Sequence, residues 1–202
     1  MQKIILASQS PRRKQLLEWA EVPFEILVKE TDESYPANLS IEETAIHIAK
    51  NKALAVKAGI FLVDRSEMPA QRQNDGLDTL PILAADTIVV LHNEIIGKPK
   101  DRDDAINILL RLSGHEHLVV TGVVILYNEK EIAFADTTHV SFNALSREQI
   151  EFYVDKYKPY DKAGAYAIQE WIGVVGIKSV NGDFYNVMGL PVSRVVRALQ
   201  NL

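Results

Sequence analysis

One apolar run limits most strongly how this chain can fold. Residues 81–91 read PILAADTIVVL, in which only Asp86 and Thr87 interrupt the apolar side chains. Apolar residues at both odd and even positions predict a β-strand that is buried on both faces. Burying an unpaired carboxylate is costly, so Asp86 needs a cation, a metal ion or strong hydrogen-bond donors beside it. A structural carboxylate that accepts from the N–H groups of a loop is the alternative interpretation.

The N-terminal stretch predicts a strand followed directly by a helix. Residues 4–7 (IILA) have the apolar character of a short strand. Ser10 and Pro11 then stand where the N-cap and the first position of a helix favour them. The amphipathic pattern continues through Leu16 to Trp19, which we expect to face the core.

The charges at this helix start are unusual. A helix N-terminus carries a partial positive charge and favours acidic residues, yet Arg12, Arg13 and Lys14 occupy its first turn. Together with free N–H groups and the hydroxyls of Ser8 and Ser10, these cations favour a bound polyanion, most simply a phosphate. A solvated basic helix start is the alternative interpretation.

The composition limits the classes of protein to which the chain can belong. It has 202 residues, of which 47% are hydrophobic and 24% charged, as in an ordinary globular protein. The absence of cysteine excludes disulfides, thiolate nucleophiles and cysteine-bound zinc. A net charge of -5 argues against a general nucleic-acid-binding protein, which needs a broad basic surface. We therefore expect no nucleic-acid partner, whereas a polyanionic small molecule needs only a local basic pocket.

Targeting and membrane signals are not recognised in the sequence. The apolar run after Lys3 is too short for a signal peptide and is followed at once by basic residues. Every uninterrupted apolar stretch falls well short of the roughly 20 residues that a membrane span needs. We expect a cytoplasmic protein without a membrane partner.

Helical periodicity and capping residues predict three further helices and one hairpin. Ser40 with Glu43 and Ser146 with Gln149 fit the capping-box pattern. The predicted helices cover residues 40–58, 102–112 and 146–155, and the predicted antiparallel hairpin joins strands 118–127 and 131–142. Lys52 lies beside the apolar stripe of the first of these helices. Its ammonium extends either toward an anionic partner or simply toward water.

The composition changes over residues 64–80, where the sequence is polar and has no period. We interpret this stretch as a mobile surface insertion within a single domain over residues 1–202, because the apolar pattern resumes immediately after it.

The C-terminal third contains a segment rich in small residues and a second predicted hairpin. Small residues around Gly164 permit close backbone approach, with Lys162 and Gln169 nearby. Residues 173–180 and 183–187 predict strands joined across Asn181-Gly182, a strong turn signal. A closing helix is expected after Pro191.

The alternation of His115 and His117 around Glu116 matches a pair of metal ligands. The same alternation also occurs at the start of ordinary strands, and no further ligand is recognisable nearby.

Candidate cations and acids are spread over several segments. They comprise the cations Arg12, Arg13, Lys52, Lys98 and Lys162, the acids Glu33 and Asp86, and the amide of Gln169. Such a set suits a polyphosphate bound with Mg²⁺, because the metal bridges carboxylate and phosphate oxygens and lowers the cost of hydroxide attack at phosphorus. Neither a Walker phosphate loop nor a G-x-G-x-x-G fingerprint occurs.

Short motifs along nearly the whole chain, in the same order, resemble those of the Maf family. They are SQSPRR at 8–13, ADT at 85–87, GKP at 97–99, SG at 113–114 with His117 and Thr121, DKAGAY at 161–166 with Gln169, and GLP at 189–191. The resemblance implies a two-lobed α/β fold with a mixed sheet, similar to that of inosine triphosphate pyrophosphatases, with the active site in the cleft between the lobes. It also implies a nucleoside triphosphate pyrophosphatase that releases a nucleoside monophosphate and pyrophosphate. A divalent cation (Mg²⁺ or Mn²⁺), a homodimer and a described link to septum formation are further implications.

The segment that ends in Gln169 resembles the dTTP/UTP branch of this family and departs from the 7-methyl-GTP branch. A glutamine amide can accept from N3–H and donate to O4 of uracil or thymine at the same time. One departure is Ala167, where relatives commonly have glycine. We expect its methyl group to narrow the base pocket rather than to abolish activity.

The resemblance also assigns roles to individual residues. Asp86 matches the family's proposed general base, and Glu33, Lys52, Lys98 and Lys162 match its other polar active-site positions. We expect Asp86, Glu33, Lys52 and Lys98 to be catalytic, with Asp86 and Glu33 also as the metal ligands. The positions that match substrate-binding residues are Ser8, Ser10, Arg12, Arg13, Thr87, Lys162 and Gln169. Among these, Arg12, Thr87 and Gln169 match the positions that determine specificity.

Two other functions remain open at this point. One is a house-cleaning enzyme whose real substrates are modified nucleotides, such as 5-methyl-UTP or pseudo-UTP. The other is a nucleotide-responsive regulator of cell division that acts through a protein partner, with hydrolysis incidental.

Overall fold

The computed structural model of this chain describes residues 2–62 and 77–202. Its strands are β1 (Ile4–Leu6), β2 (Phe24–Ile26), β3 (Ile82–Leu91), β4 (Glu94–Ile96), β5 (Glu116–Tyr127), β6 (Lys130–Phe142) and β7 (Ile177–Asn181). Its α-helices are α1 (Pro11–Trp19), α2 (Ile41–Leu62), α3 (Arg102–Leu112), α4 (Arg147–Tyr157), α5 (Trp171–Gly176), α6 (Phe184–Met188) and α7 (Val192–Gln200). Most of the predicted insertion at 64–80 lies outside the described residues, and its last part includes a short 3-10 helix, Leu77–Thr79.

The seven strands of the described residues form one mixed sheet. Their order is β2-β1-β3-β5-β6-β7, and β4 pairs with β3. β1 runs parallel to both β2 and β3, and Ile5 lies opposite Glu25 on one side and Ile82 on the other. β3 with β4 and β6 with β7 are antiparallel pairs. The predicted α/β class with a mixed sheet is therefore confirmed.

Contacts within the chain define two compact units. The first comprises residues 1–86, 122–135 and 192–202, and the second comprises residues 87–121 and 136–191. Three of the four boundaries fall inside β3, β5 and β6, so each of these strands contributes residues to both units, and the fourth lies at the start of α7.

The core of the first unit is built from β1, β3, β5 and α2. Its apolar cluster consists of Ile5, Ala7, Ala49, Ala53, Val56, Leu77, Ile82, Ala84, Val124 and Leu126. A Cβ atom on Gly122 would lie 2.2 Å from the carbonyl carbon of Ala45, so the backbone of α2 packs directly on β5. This close approach fixes α2, and with it Lys52, against the sheet.

The second unit also contains large buried side chains. Its fully buried side chains include Leu109, Leu112, Ile150, Tyr153, Val154 and Ile172. The rings of His117, Phe142 and Tyr166 pack edge to face, with centroids 5.0 to 5.4 Å apart. This aromatic cluster attaches the segment around Tyr166 to β5 and β6.

The predicted helix caps are confirmed. Ser10 Oγ accepts from Arg13 N at the start of α1, and Ser40 and Glu43 bond each other's backbone N–H before α2. Ser146 caps α4 in the predicted capping box.

None of the helices in the described part of the chain has the length and apolar character that crossing a membrane would require.

The inward face of α1 ends earlier than predicted. Leu16 and Leu17 are buried, whereas Trp19 is 59% exposed. Trp19 is the last residue of the helix, and the chain turns at Glu21, where φ is 55°. Its ring therefore lies beyond the edge of the core.

The predicted hairpin over residues 173–180 and 183–187 is wrong. Trp171–Gly176 forms helix α5, and only Ile177–Asn181 forms a strand, which pairs with β6. After Gly182, the Asp183 side chain accepts from Tyr185 N at 2.7 Å and caps helix α6. This cap satisfies an N–H group at the start of a helix, so the turn after β7 leads into α6 rather than into a second strand.

Candidate active site

The predicted site residues are divided between the two units. The first unit contains Ser8, Ser10, Arg12, Arg13, Glu33, Lys52 and Asp86, and the second contains Thr87, Lys98, Lys162 and Gln169.

The start of α1 is organised around the hydroxyl of Ser8. Ser8 Oγ accepts from Ser10 N at 3.2 Å and from Arg13 Nη1 at 3.1 Å. These bonds occupy both acceptor positions of the hydroxyl and leave its proton to be donated. Because Arg13 N also donates to Ser10 Oγ, at 3.4 Å, the expectation of free N–H groups is wrong for Ser10 and Arg13. This helix start therefore offers an anion a hydroxyl proton and guanidinium groups more than bare N–H groups.

Arg13 is buried, with 9% of its surface exposed. Desolvation lowers the pKa of its guanidinium, and the Asp86 carboxylate opposes this effect. Arg12 lowers the pKa by a smaller amount, and Glu33 raises it. An arginine nevertheless stays charged in proteins. The first unit thus holds a desolvated cation in the field of both predicted acids, which contradicts the alternative of a merely solvated basic helix start.

Both predicted acids contact the same lysine. Lys52 Nζ lies 2.7 Å from Asp86 Oδ1 and 2.8 Å from Glu33 Oε1. The side chains of Lys52 and Asp86 are 19% and 17% exposed, whereas that of Glu33 is 53% exposed. The prediction that Lys52 extends toward an anionic partner is confirmed, and Lys52 supplies the cation that the position of Asp86 in a buried strand requires.

Asp86 and Glu33 bring two carboxylates within 2.8 Å of one nitrogen, Lys52 Nζ, in the first unit. No group of three His, Asp or Glu side chains converges as a metal site among residues 2–62 and 77–202. Mg²⁺ commonly binds through one or two carboxylates together with substrate phosphates. The carboxylate oxygens of Asp86 and Glu33 are of the type that such a metal requires.

Thr87 takes part in a chain of hydroxyl groups in the second unit. Its Oγ1 lies 3.0 Å from Thr121 Oγ1, and Thr121 Oγ1 donates to Asn186 O at 3.2 Å. Thr87 Oγ1 also lies 3.5 Å from Gly189 O, so its one proton is shared between two acceptors, Thr121 Oγ1 and Gly189 O. Asn186 is fully buried and is anchored by a bond from its Nδ2 to Val119 O at 3.0 Å. The chain holds the side chain of Thr87 in one orientation.

Lys162 is the buried cation of the second unit, with 8% of its surface exposed. Its Nζ lies 2.7 Å from Asp161 Oδ1 and 3.7 Å from Glu170 Oε1. The other oxygen of Glu170 accepts a hydrogen bond from the Tyr153 hydroxyl, which in turn accepts from Ala167 N at 3.2 Å. A carboxylate and a buried phenol thus connect Lys162 to the segment that carries Gln169.

Gln169 and Lys98 are both exposed. The loops that carry Lys98 and Lys162 are joined by a backbone hydrogen bond from Gly164 N to Gly97 O, 3.1 Å long. Gly164 has a φ of 71°, a conformation that a side chain rarely adopts, so the small residue at this position is required by the backbone.

His117 has the environment of a core histidine. Its Nε2 is hydrogen bonded to the hydroxyl of Tyr166 at 2.8 Å, and burial lowers its pKa to about 4, against a smaller opposing effect of Glu116. Burial also raises the pKa of the Tyr166 hydroxyl. His115, by contrast, is exposed. This arrangement supports the interpretation of these histidines as part of an ordinary strand start rather than as a metal pair.

Sequence reasoning did not single out the residues that hold the predicted site residues in place. Glu170 follows Gln169 directly, so proximity alone would have brought it into consideration. No sequence pattern marks Tyr153, because it lies in an ordinary amphipathic helix. No sequence pattern marks Asn186 as an anchoring residue either.

Comparison with known proteins agrees with the motifs over almost the whole length. The sequence profile of the family described as Maf-like protein matches residues 3–202. A dTTP/UTP pyrophosphatase of Cytophaga hutchinsonii is 48% identical over 98% of this chain and 84% of that protein. Proteins of the same name from Parabacteroides distasonis and Flavobacterium psychrophilum are 43% and 42% identical, each over 98% of this chain, and over 95% and 94% of their own lengths. With its site motifs placed on an α/β fold and this match from end to end, the chain belongs to the Maf-like protein family.

Proposed function

We propose that this protein is a nucleoside triphosphate pyrophosphatase that hydrolyses dTTP and UTP to the nucleoside monophosphate and pyrophosphate. The relatives named dTTP/UTP pyrophosphatase, 42 to 48% identical over 98% of the chain, support the reaction and the substrate class. The observation in this structure that carries the proposal is the single lysine that pairs with both Asp86 and Glu33.

Asp86 acts as the general base for the attacking water. Lys52 Nζ engages Oδ1, so Oδ2 is the atom assigned to accept the proton as the water attacks the α-phosphorus. Lys52 fixes the carboxylate in position, which is the geometric requirement for such a base. Phosphoryl chemistry depends on this kind of positioning and on charge stabilisation more than on covalent steps by the protein.

A divalent cation, Mg²⁺ or Mn²⁺, is part of the proposal, with Asp86 and Glu33 as its protein ligands. When bound, it would neutralise charge on phosphate oxygens and make a bound water more acidic. The hard carboxylate oxygens of this pair are the ligands that such cations prefer.

The basic groups neutralise the pyrophosphate that leaves. In the first unit, Arg12 and Arg13 are assigned to phosphate oxygens, and the hydroxyl of Ser8 donates its remaining proton to them. In the second unit, Lys98 and Lys162 are assigned the same role, which is to neutralise the charge of the leaving pyrophosphate. Preorganised charges of this kind contribute most where negative charge develops in the transition state.

Base recognition is assigned to Gln169. Its amide oxygen accepts from N3–H of thymine or uracil, and its amide nitrogen donates to O4. A cytosine presents an acceptor at N3 and a donor at N4, so the same amide orientation cannot satisfy it. Ser10 supports the phosphate-binding turn as N-cap of α1, and Thr87 is assigned to substrate selectivity.

The cellular setting is proposed from the same family membership. We infer a cytoplasmic homodimer without a nucleic-acid or membrane partner. Sedimentation velocity of the purified protein at micromolar concentration would distinguish a dimer from a monomer.

The direct test is hydrolysis of a panel of nucleotides by the purified 202-residue chain. dTTP, UTP, dCTP, CTP, dATP and dGTP are each supplied with Mg²⁺, with Mn²⁺ or with EDTA, and the nucleotide products and pyrophosphate are quantified separately. We expect dTTP and UTP to be cleaved fastest, to the monophosphate and pyrophosphate, with loss of turnover in EDTA. Nucleoside diphosphate and orthophosphate as products would contradict the proposal.

Reaction in ¹⁸O-labelled water locates the bond that breaks. Attack at the α-phosphorus places the label in dTMP, whereas attack at the β-phosphorus places it in pyrophosphate. Label found only in pyrophosphate would exclude the proposed role of Asp86 at the α-phosphorus.

The same assay, extended to 5-methyl-UTP and pseudo-UTP, separates the two other functions. Much higher kcat/KM for 5-methyl-UTP or pseudo-UTP than for dTTP would favour the house-cleaning enzyme. Nucleotide binding without metal-dependent turnover of any triphosphate would favour the nucleotide-responsive regulator.

A further inference from the structure

The segment that carries Gln169 is held by a buried tyrosine from another element. Tyr153 on α4 is fully buried, and its hydroxyl accepts from Ala167 N at 3.2 Å and donates to Glu170 Oε2. One hydroxyl therefore binds the chain two residues before Gln169 and one residue after it. A buried phenol requires hydrogen-bond partners, and the two observed here lie in this segment.

Two further contacts fix the backbone of the same segment. Glu170 N donates to Ala167 O at 3.1 Å and closes a turn around Gln169. A Cβ atom on Gly173 would lie 1.7 Å from Ile168 O, so α5 packs without any gap on the residue that precedes Gln169. Gln169 is thus an exposed side chain on a backbone that is fixed on both sides.

The Glu170 carboxylate connects the hydroxyl of Tyr153 to Lys162. Its Oε1 lies 3.7 Å from Lys162 Nζ, while its Oε2 accepts from Tyr153. The carboxylate is therefore held by the phenol and by the ammonium at the same time, which restricts the position of residue 170 and of its neighbour.

We propose that Tyr153 is a positioning residue that sets the selectivity for the base through the backbone of residues 167–170. The inference rests on the proposed function, since it requires Gln169 to read the base. An amide that must accept from N3–H and donate to O4 together tolerates little displacement, and small misplacements of positioned groups have large effects on rate. Tyr153 acts through Gln169 and does not itself touch the nucleotide.

The test compares Tyr153→Phe with Tyr157→Phe. Tyr157 lies on the same helix and its ring stacks on Tyr153, with centroids 5.0 Å apart, but within the described residues no hydrogen bond of its hydroxyl is observed. The measured quantity is the ratio of kcat/KM for dTTP to that for dCTP, determined on one preparation of each variant. This ratio does not depend on the fraction of folded enzyme, so a purely structural loss leaves it unchanged.

We expect Tyr153→Phe to lower the dTTP to dCTP ratio about tenfold, because the substitution removes both hydrogen bonds of the hydroxyl and so releases residues 167–170. Tyr157→Phe should keep the wild-type ratio. Gln169→Ala defines the ratio without base reading, and the double variant Tyr153→Phe/Gln169→Ala should have the ratio of Gln169→Ala alone. Such non-additivity is expected when one residue acts through the other.

Three outcomes would overturn the inference while leaving the proposed function intact. They are a wild-type ratio in Tyr153→Phe, an equal fall in Tyr153→Phe and Tyr157→Phe, and independent multiplication of the two effects in the double variant. Failure of the wild-type chain to hydrolyse dTTP would instead overturn the proposed function, and the inference with it.

Discussion

The Lys52 ammonium donates to Oδ1 of Asp86 across 2.7 Å, although the two residues are 34 positions apart in the sequence. Asp86 lies in a strand whose other residues are almost all apolar, and Lys52 lies on the helix that packs on the same core. The pair resolves the energetic problem of a carboxylate in such a strand. It also places the proposed general base beside a cation.

Asp86→Asn should lower kcat by about 10²- to 10⁴-fold, the usual contribution of a positioned general base. The amide oxygen of asparagine can still accept from Lys52, so the fold and nucleotide binding should be retained. Steady-state kinetics with dTTP, together with nucleotide titration of the variant, would measure the two effects separately. An unchanged turnover would rule out the assignment of Asp86.

Lys52→Met should lower kcat by at least about 10²-fold, because it removes a preorganised cation and leaves two carboxylates facing each other. Lys50→Met is the matched control on the same helix, since Lys50 forms an exposed ion pair with Glu131 at 2.9 Å. We expect the control to retain wild-type activity. Equal losses in both variants would show that α2 is merely sensitive to substitution.

Acidification should destabilise the protein through His117. Its pKa in the folded state is about 4, below the ordinary 6.5, so between these values the unfolded chain binds more protons than the folded one. The stabilisation is complete above about pH 6.5 and is lost as the pH falls toward 4. From pH 7 to pH 5 we expect a loss of about 2 kcal/mol in the free energy of unfolding.

Urea unfolding at pH 7 and pH 5 measures this loss. His117→Asn should show a flatter dependence on pH than the wild type, because the buried ionisable ring is gone. His115→Asn, at an exposed position two residues away, controls for the removal of a histidine as such. The same slope in His117→Asn and in the wild type would exclude His117 as the source.

Gly122→Ala should destabilise the protein by about 3 kcal/mol or more, because its methyl group would lie 2.2 Å from the carbonyl carbon of Ala45 and would force α2 away from β5. Gly97→Ala is the control, since a Cβ atom there meets nothing within 4 Å. Its stability should stay within about 0.5 kcal/mol of the wild type. Similar midpoints of urea unfolding in both variants would contradict the close packing of α2.

Local features of the chain were predictable because they depend on neighbouring residues. The caps at Ser10, Ser40 and Ser146 and the strand around Asp86 follow from side chains within a few positions of each other. The hairpin predicted across Gly182 failed for the complementary reason. A turn signal does not reveal whether the chain after it forms a strand or a helix. Here the side chain of Asp183 caps a helix at this point.

The sequence by itself determined the types of chemical group available to the site and the family to which the chain belongs. The acids Asp86 and Glu33, the cationic helix start and the motif ending in Gln169 were identified from the sequence, because residue types and short spacings can be read from it directly. The tertiary structure decided which of these groups meet. Only packing brings Lys52 to both acids and Tyr153 to the backbone around Gln169, since such contacts join residues that are distant in the chain and carry no local signature.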